Sequence, residues 1–119
     1  MSRSRPIVQA QEKLGESETK LWLNISDDLS CLSGHFPGNP VVPGVAQVHW
    51  AESFARENFN HTMPEIGSFS GLEVIKFQNI ILPGLIIALN LKFNQEKNKL
   101  YFSYVDEDKT YSNGRIAYT

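Results

Sequence analysis

Apolar residues alternate with others without a break from Leu85 to Asn94. Leu85, Ile87, Leu89, Leu91 and Phe93 fall on one side, and Ile86, Ala88, Asn90, Lys92 and Asn94 on the other. Period-two alternation of this kind predicts a strand with one buried face. The stretch KLWLNI repeats the pattern with Leu21, Leu23 and Ile25 on one side. Further strand candidates are Ser68 to Asn79, Leu100 to Asp106 and Thr110 to Thr119, all rich in Phe, Tyr, Val or Ile. The links NQEKNK and DEDK are short and polar, as hairpin loops are, and LPG at Leu82 to Gly84 parts the Ser68 to Asn79 strand from the Leu85 to Asn94 strand. Val45 to Phe59 has a different period. It contains no Pro or Gly, Pro43 stands near its start, and Val45, Val48, Ala55 and Phe59 share a face when wound as a helix. His49 and Glu52 lie inside or beside that face and Arg56 borders it, while Trp50 and Phe54 cover the other side. A helix apolar on two sides is one wrapped by other structure. Met1 to Ser17 is polar and weakly patterned and reads as a loosely held N-terminal arm, and Ser26 can cap a short turn in SDDLSCLSG.

One long helix and roughly five strands make an α+β chain, read as a single domain over residues 1–119. The arrangement that buries most apolar surface is an antiparallel curved sheet wrapped around the helix. The helix's second face is then covered by the sheet's bend or by a dimer partner.

Composition narrows the function classes. The formal net charge is −2, so no polyanion is implied, and Arg3 and Arg5 are too few for a nucleic-acid arm. A single cysteine, Cys31, excludes an internal disulfide framework and fits a reducing, cytoplasmic setting. No opening apolar run resembles a signal peptide, and IILPGLIIAL is broken by Pro83 and Gly84 before it could span a bilayer. The chain carries no HExxH, no CxxC and no carboxylate cluster, so no metal site is expected.

The chemistry concentrates in GHFPGNPVVPGV, Gly34 to Val45. Pro37, Pro40 and Pro43 each lock a backbone angle, and Gly34, Gly38 and Gly44 permit tight bends or close approach. A loop so stiffened holds His35 still, which is what a preorganised catalytic side chain needs. A second histidine, His49, follows fourteen residues later inside the predicted helix.

His35 to Gly44 closely resembles the active-site segment of the hot-dog-fold β-hydroxyacyl-acyl-carrier-protein dehydratases, H-F-P-G-x-P-x-x-P-G, at every fixed position. IKFQNIILPG, Ile75 to Gly84, is similar to that family's strand-turn segment. The resemblance implies a hot-dog fold and a site built between two paired chains. It implies a catalytic His35 that removes a proton from C2 of a 3-hydroxyacyl thioester, and a Gly44 N–H that polarises the thioester carbonyl. It implies no cofactor beyond the phosphopantetheine arm of the carrier, which bears the substrate. An acyl carrier protein is the implied partner. The implied assembly is a homodimer, extended to a trimer of dimers or replaced by pairing with a second hot-dog subunit. Phe36, Pro43, Val45, Trp50 and Phe69 are the candidates for lining the acyl channel. Lys76, Lys92, Lys97, Lys99 and Arg115 are the basic residues available to an acidic carrier.

The departure lies at the acid. The family places Glu or Asp where this chain has His49. Histidine titrates near operating pH without help, so an imidazolium can donate its proton to the leaving hydroxyl. Glu52, three residues on and on the same face, either supports His49 or is itself the acid, displaced by about one turn. Histidine at this position resembles the divergent dehydratases of aryl polyene pathways. Two other functions fit the resemblance: an acyl thioesterase that uses Glu52, and a non-catalytic hot-dog subunit. The plainer readings are a loop role for His35, a core role for His49, a surface charge at Glu52 and a loop residue at His61.

Overall fold

Leu21, Leu23 and Ile25 are all buried, as their alternation predicts, and so are Ile87, Leu89, Leu91 and Phe93. The structure, a computed structural model, describes residues 3–32, 40–63 and 69–119. Six strands are present among them: β1 (Ile7–Gly15), β2 (Glu18–Asn24), β3 (Phe69–Phe77), β4 (Ile86–Asn94), β5 (Lys99–Val105) and β6 (Thr110–Tyr118). They form one sheet in the order β1-β2-β4-β5-β6-β3, every neighbouring pair antiparallel. The register sets like against like. Leu21 faces Leu89, Leu89 faces Tyr104, Leu91 faces Phe102 and Leu100 faces Ile116, so the inward positions of four strands make one apolar surface.

The one α-helix among the described residues, α1 (Gly44–Asn58), lies on that surface. Its buried residues are Gln47, Trp50, Ala51, Phe54 and Ala55, with Phe59 just beyond its end. This corrects the face expected from sequence. Ala55 and Phe59 are buried as expected, but Val45 is 78% exposed. The aromatic rings decide the rotation, because Trp50 and Phe54 remove far more apolar area from water than two valines. One stripe of the helix, running from Val45 to His49, is left uncovered.

The N-terminal arm is also corrected. Residues 7–15 are not loose but form the edge strand β1, paired along β2 from Ile7 opposite Asn24 to Gly15 opposite Glu18. Every residue of β1 is exposed. A strand with solvent on both faces needs no apolar alternation, so period two had nothing to reveal. Residues just before it latch the helix. The Trp50 indole donates to the Ser4 carbonyl at 3.0 Å, and the Arg5 guanidinium stacks 4.3 Å from the Phe54 ring centre. Arg5 also donates to Ser53 and pairs with Glu57.

A short 3₁₀ turn spans Ser30–Leu32, later than Ser26, whose hydroxyl donates to Asp28 instead. The turn after Leu82 needs its glycine: Gly84 has φ +95°, a region that side chains avoid, and its N–H donates to Ile25 at 2.7 Å. That bond ties the start of β4 to the end of β2.

Candidate active site

The first turn of α1 opens into a cleft. Pro43 caps the helix in an extended conformation (φ −66°, ψ 152°) and supplies no side-chain bond to the first turn. Its carbonyl accepts from Ala46 and Gln47 at 3.1 and 3.2 Å. The N–H groups of Gly44 and Val45 come before any intrahelical acceptor, at the positive end of the helix dipole. Residues 41–44, Gln47 and residues 77–80 enclose about 360 Å³ in front of them. The far wall is fixed to the sheet, because the N–H groups of Gln78 and Asn79 both donate to the Tyr111 carbonyl, at 2.9 and 3.1 Å. The Phe77 ring lies directly on Gly44: a Cβ there would stand 2.6 Å from the ring. A side chain at 44 would therefore have to push the Phe77 ring aside.

A larger cleft of about 460 Å³ lies beside Lys20, Trp22, Ile86 and residues 105–108, on the sheet face away from α1. Its lining includes no helix end. The smaller cleft has chemistry that suits a thioester carbonyl: amide donors at a helix N-terminus.

Of the expected site residues, Pro43 and Gly44 line this cleft. Val45 and His49 stand exposed on α1, one turn apart on one face. His35 and Phe36 lie outside the described residues. Glu52 continues the face of His49, but its partners lie elsewhere. Tyr118 Oη donates to Glu52 Oε2 at 2.9 Å, and Arg56 approaches the same oxygen at 3.8 Å. Burial, and then the bond to Glu52, push the Tyr118 phenol well above its ordinary range, so it stays a neutral donor. Phe69 meets the Tyr118 ring edge-on at 6.5 Å, at this far end of the face rather than at the cleft. Trp50 is 1% exposed and belongs to the core, on the other side of the helix from Val45. Cys31 is half-buried, and desolvation raises its thiol, the opposite of what a nucleophile requires.

Phe77 and Gln47 are among the cleft residues that the sequence did not single out. Phe77 was visible only as a strand residue, and Gln47 as one polar position in a helix. Among the basic residues, Lys99 and Arg115 both hold Glu73 Oε1 at 2.8 Å, a network across β5, β6 and β3.

A six-stranded antiparallel sheet packed on one helix, with a cleft at the helix start, defines a hot-dog protein. Residues 10–115 match the family described as ApeI-like, ApeI dehydratase, and the chain belongs to that family. Its structure is similar to that of a chain in the dehydratase heterocomplex ApeI:P from Xenorhabdus doucetiae. The TM-score is 0.84 at 34% identity, over 95% of this chain and 96% of that one. An uncharacterized protein from Erwinia carotovora subsp. atroseptica is also similar, at TM-score 0.79 and 34% identity, over 96% and 95% of the two chains. A 3-hydroxyacyl-(acyl-carrier-protein) dehydratase FabZ from Erythrobacter litoralis is 34% identical over 73 residues, 57% of this chain and 48% of that protein. One from Oenococcus oeni is 30% identical over 80 residues, 65% and 58% of the two. The chain thus spans about half the length of the curated relatives it matches.

Proposed function

We propose that this chain dehydrates a 3-hydroxyacyl thioester carried on an acyl carrier protein, giving the trans-2-enoyl thioester and water. The observation that carries the proposal is the cleft at Gly44, where a helix N-terminus offers amide donors beside the Phe77 ring. In this reading the Gly44 N–H bonds the thioester carbonyl and stabilises the enolate-like charge that develops there. His35 takes the C2 proton. The electron pair of that C–H bond forms the C2–C3 double bond, the C3–O bond breaks, and His49 gives the departing hydroxide its proton. The two histidines end with the proton exchanged between them, and water relays it back.

His49 of the partner subunit serves the His35 of its neighbour in this scheme. The surface that supports such pairing is the free edge β3 and the helix beside it. Leu72, Val74 and Phe77 are about half exposed, at 49%, 60% and 53%, and Val45 is 78% exposed. Apolar edge strands of this kind pair with another edge. A second copy and a different hot-dog chain both fit, and the Xenorhabdus doucetiae neighbour is itself a heterocomplex. The likeness of a histidine at position 49 to the divergent aryl polyene dehydratases supports assigning the reaction to fatty-acid-like or aryl polyene biosynthesis. Lys76, exposed and next in sequence to the cleft residue Phe77, is the basic residue we assign to the carrier.

The test is incubation of the purified chain with a 3-hydroxyacyl carrier protein, followed by intact mass. Loss of one water from the acyl chain is expected. Release of free acid would make the chain a thioesterase. An unchanged mass, with the chain alone and with a paired hot-dog subunit added, would overturn the proposal.

A further inference from the structure

Gln47 carries no role in the scheme above, yet it is the most constrained polar residue beside the cleft. It is 3% exposed on a helix face otherwise made of Trp50, Ala51, Phe54 and Ala55. A buried amide is costly unless both its ends are bonded. Both are. Ser112 Oγ on β6 donates to Gln47 Oε1 at 2.6 Å, and Gln47 Nε2 donates to the Val42 carbonyl at 3.3 Å. The amide has only one workable orientation, because a backbone carbonyl accepts and cannot donate. The backbone of Gln47 is held as well. Tyr104 Oη, fully buried on β5, donates to the Gln47 carbonyl at 2.6 Å, and the Gln47 N–H donates to Pro43 at 3.2 Å. The Val42 N–H in turn donates to Ile81 at 2.9 Å. The backbone on either side of Pro43 is therefore clamped, and the next peptide carries the Gly44 N–H.

We propose that Gln47 is a positioning residue: by bridging Ser112 to the Val42 carbonyl, it fixes the direction in which the Pro43–Gly44 peptide presents its N–H to the cleft. The part played by that N–H rests on the dehydratase reading, but the way it is held does not. An apolar side chain of equal volume would fill the same space and leave Val42 and Ser112 without partners. What the amide adds is direction. A donor displaced by about 1 Å forfeits up to about a hundredfold in rate.

Three variants test this with a 3-hydroxyacyl-pantetheine thioester as substrate. Gln47→Met should keep KM within about twofold and lower kcat at least about tenfold. Ser112→Ala, which leaves the Val42 bond, should lose less. Gln47→Glu has a signature that a purely structural role lacks. Ionised, the new carboxyl has no donor for Val42. Protonated, its O–H restores the bond, and burial against a carbonyl favours that form. The rate of Gln47→Glu relative to the parent should therefore rise as pH falls from about 8 to about 6, while the relative rate of Gln47→Met stays flat. This variant is isosteric and keeps the test open should Gln47→Met fail to fold. Amide hydrogen exchange gives a readout free of activity. The Val42 and Gln47 amides should exchange at least about tenfold faster in the Met variant, with Leu89 and Leu91 unchanged. Should the parent not dehydrate the thioester, the functional reading falls and exchange alone decides this one. Unchanged protection at Val42 and Gln47 overturns the positioning role. So does a flat relative rate for Gln47→Glu with kcat near that of the parent.

Discussion

The first carbon of any side chain at position 44 would stand 2.6 Å from the Phe77 ring, well inside carbon–carbon contact. Phe77 is half exposed and can swing aside, so Gly44→Ala should fold with nearly the parent's melting temperature. The displaced ring then enters the cleft and the thioester loses its seat. The expected kcat/KM is at least about tenfold lower, read by steady-state kinetics beside a thermal melt. The acid is decided by comparing two neighbours. His49→Ala should cost at least about a hundredfold, the usual scale for a lost general acid. Glu52→Ala should cost much less rate and more stability, because its carboxylate is already engaged by Tyr118 and Arg56. The reverse order of rates would move the acid to Glu52. Pro43 and Gly44, which line the cleft, were legible in the sequence because they close a Pro/Gly stretch just ahead of a helical pattern. Gln47 was not legible. Its meaning comes from Tyr104 and Ser112, 57 and 65 residues further along, and no local pattern reports a bond of that span.

Strands that bury one face announce themselves, and β2, β4, β5 and β6 all do so here. The edge strand β1 does not, since nothing in it is buried and its pairing is supplied by backbone bonds to β2. The helix was legible in length, Gly44–Asn58 against an expected Val45 to Phe59. Its orientation was not, because two candidate apolar faces differ only in which one the sheet reaches first. The β5–β6 turn shows how an element can be set by charge. The Asp106 carboxylate accepts from the Tyr111 hydroxyl and from the N–H groups of Asp108 and Lys109. These bonds, the one from Tyr111 foremost, hold its pKa below the ordinary 3.8. A carboxyl lowered by folding adds stability that is fully present above its unfolded value and is lost as pH falls through the folded one. Asp106→Asn keeps the acceptor and removes the charge. The variant should melt below the parent at pH 7, and the gap should narrow as pH falls below about 4. Tyr111 works at the other end. Burial and Asp106 push its phenol up to about 12, so its contribution persists to pH 10 and fades as pH climbs toward that value. Parallel melts across this range check both signs.

At the scale of the whole molecule, the two ends of the proposed chemistry cannot both be served by the buried side of the helix. His49 and Val45 are exposed on α1, and Leu72, Val74 and Phe77 are exposed on the edge strand β3. A two-fold pairing of two such edges brings each uncovered helix face against its counterpart, and each site then draws on both chains. Leu72→Lys places a charge in the middle of that edge, where its neighbour Glu73 is already paired with Lys99 and Arg115. This variant should sediment as a monomer and lose dehydration, with the sheet's own melting little changed. The sharper experiment uses two inactive variants. In a dimer of His35→Ala with His49→Ala, one site loses both histidines and the other keeps both. Random co-assembly makes half of the dimers mixed, so about a quarter of the parent's activity should return on co-expression, though each variant alone is nearly inactive. Were both histidines of a site supplied by one chain, every site in every dimer would lack one of them and co-expression would restore nothing. The amount of activity recovered therefore measures directly whether the exposed face of α1 serves its own chain or the chain across the edge.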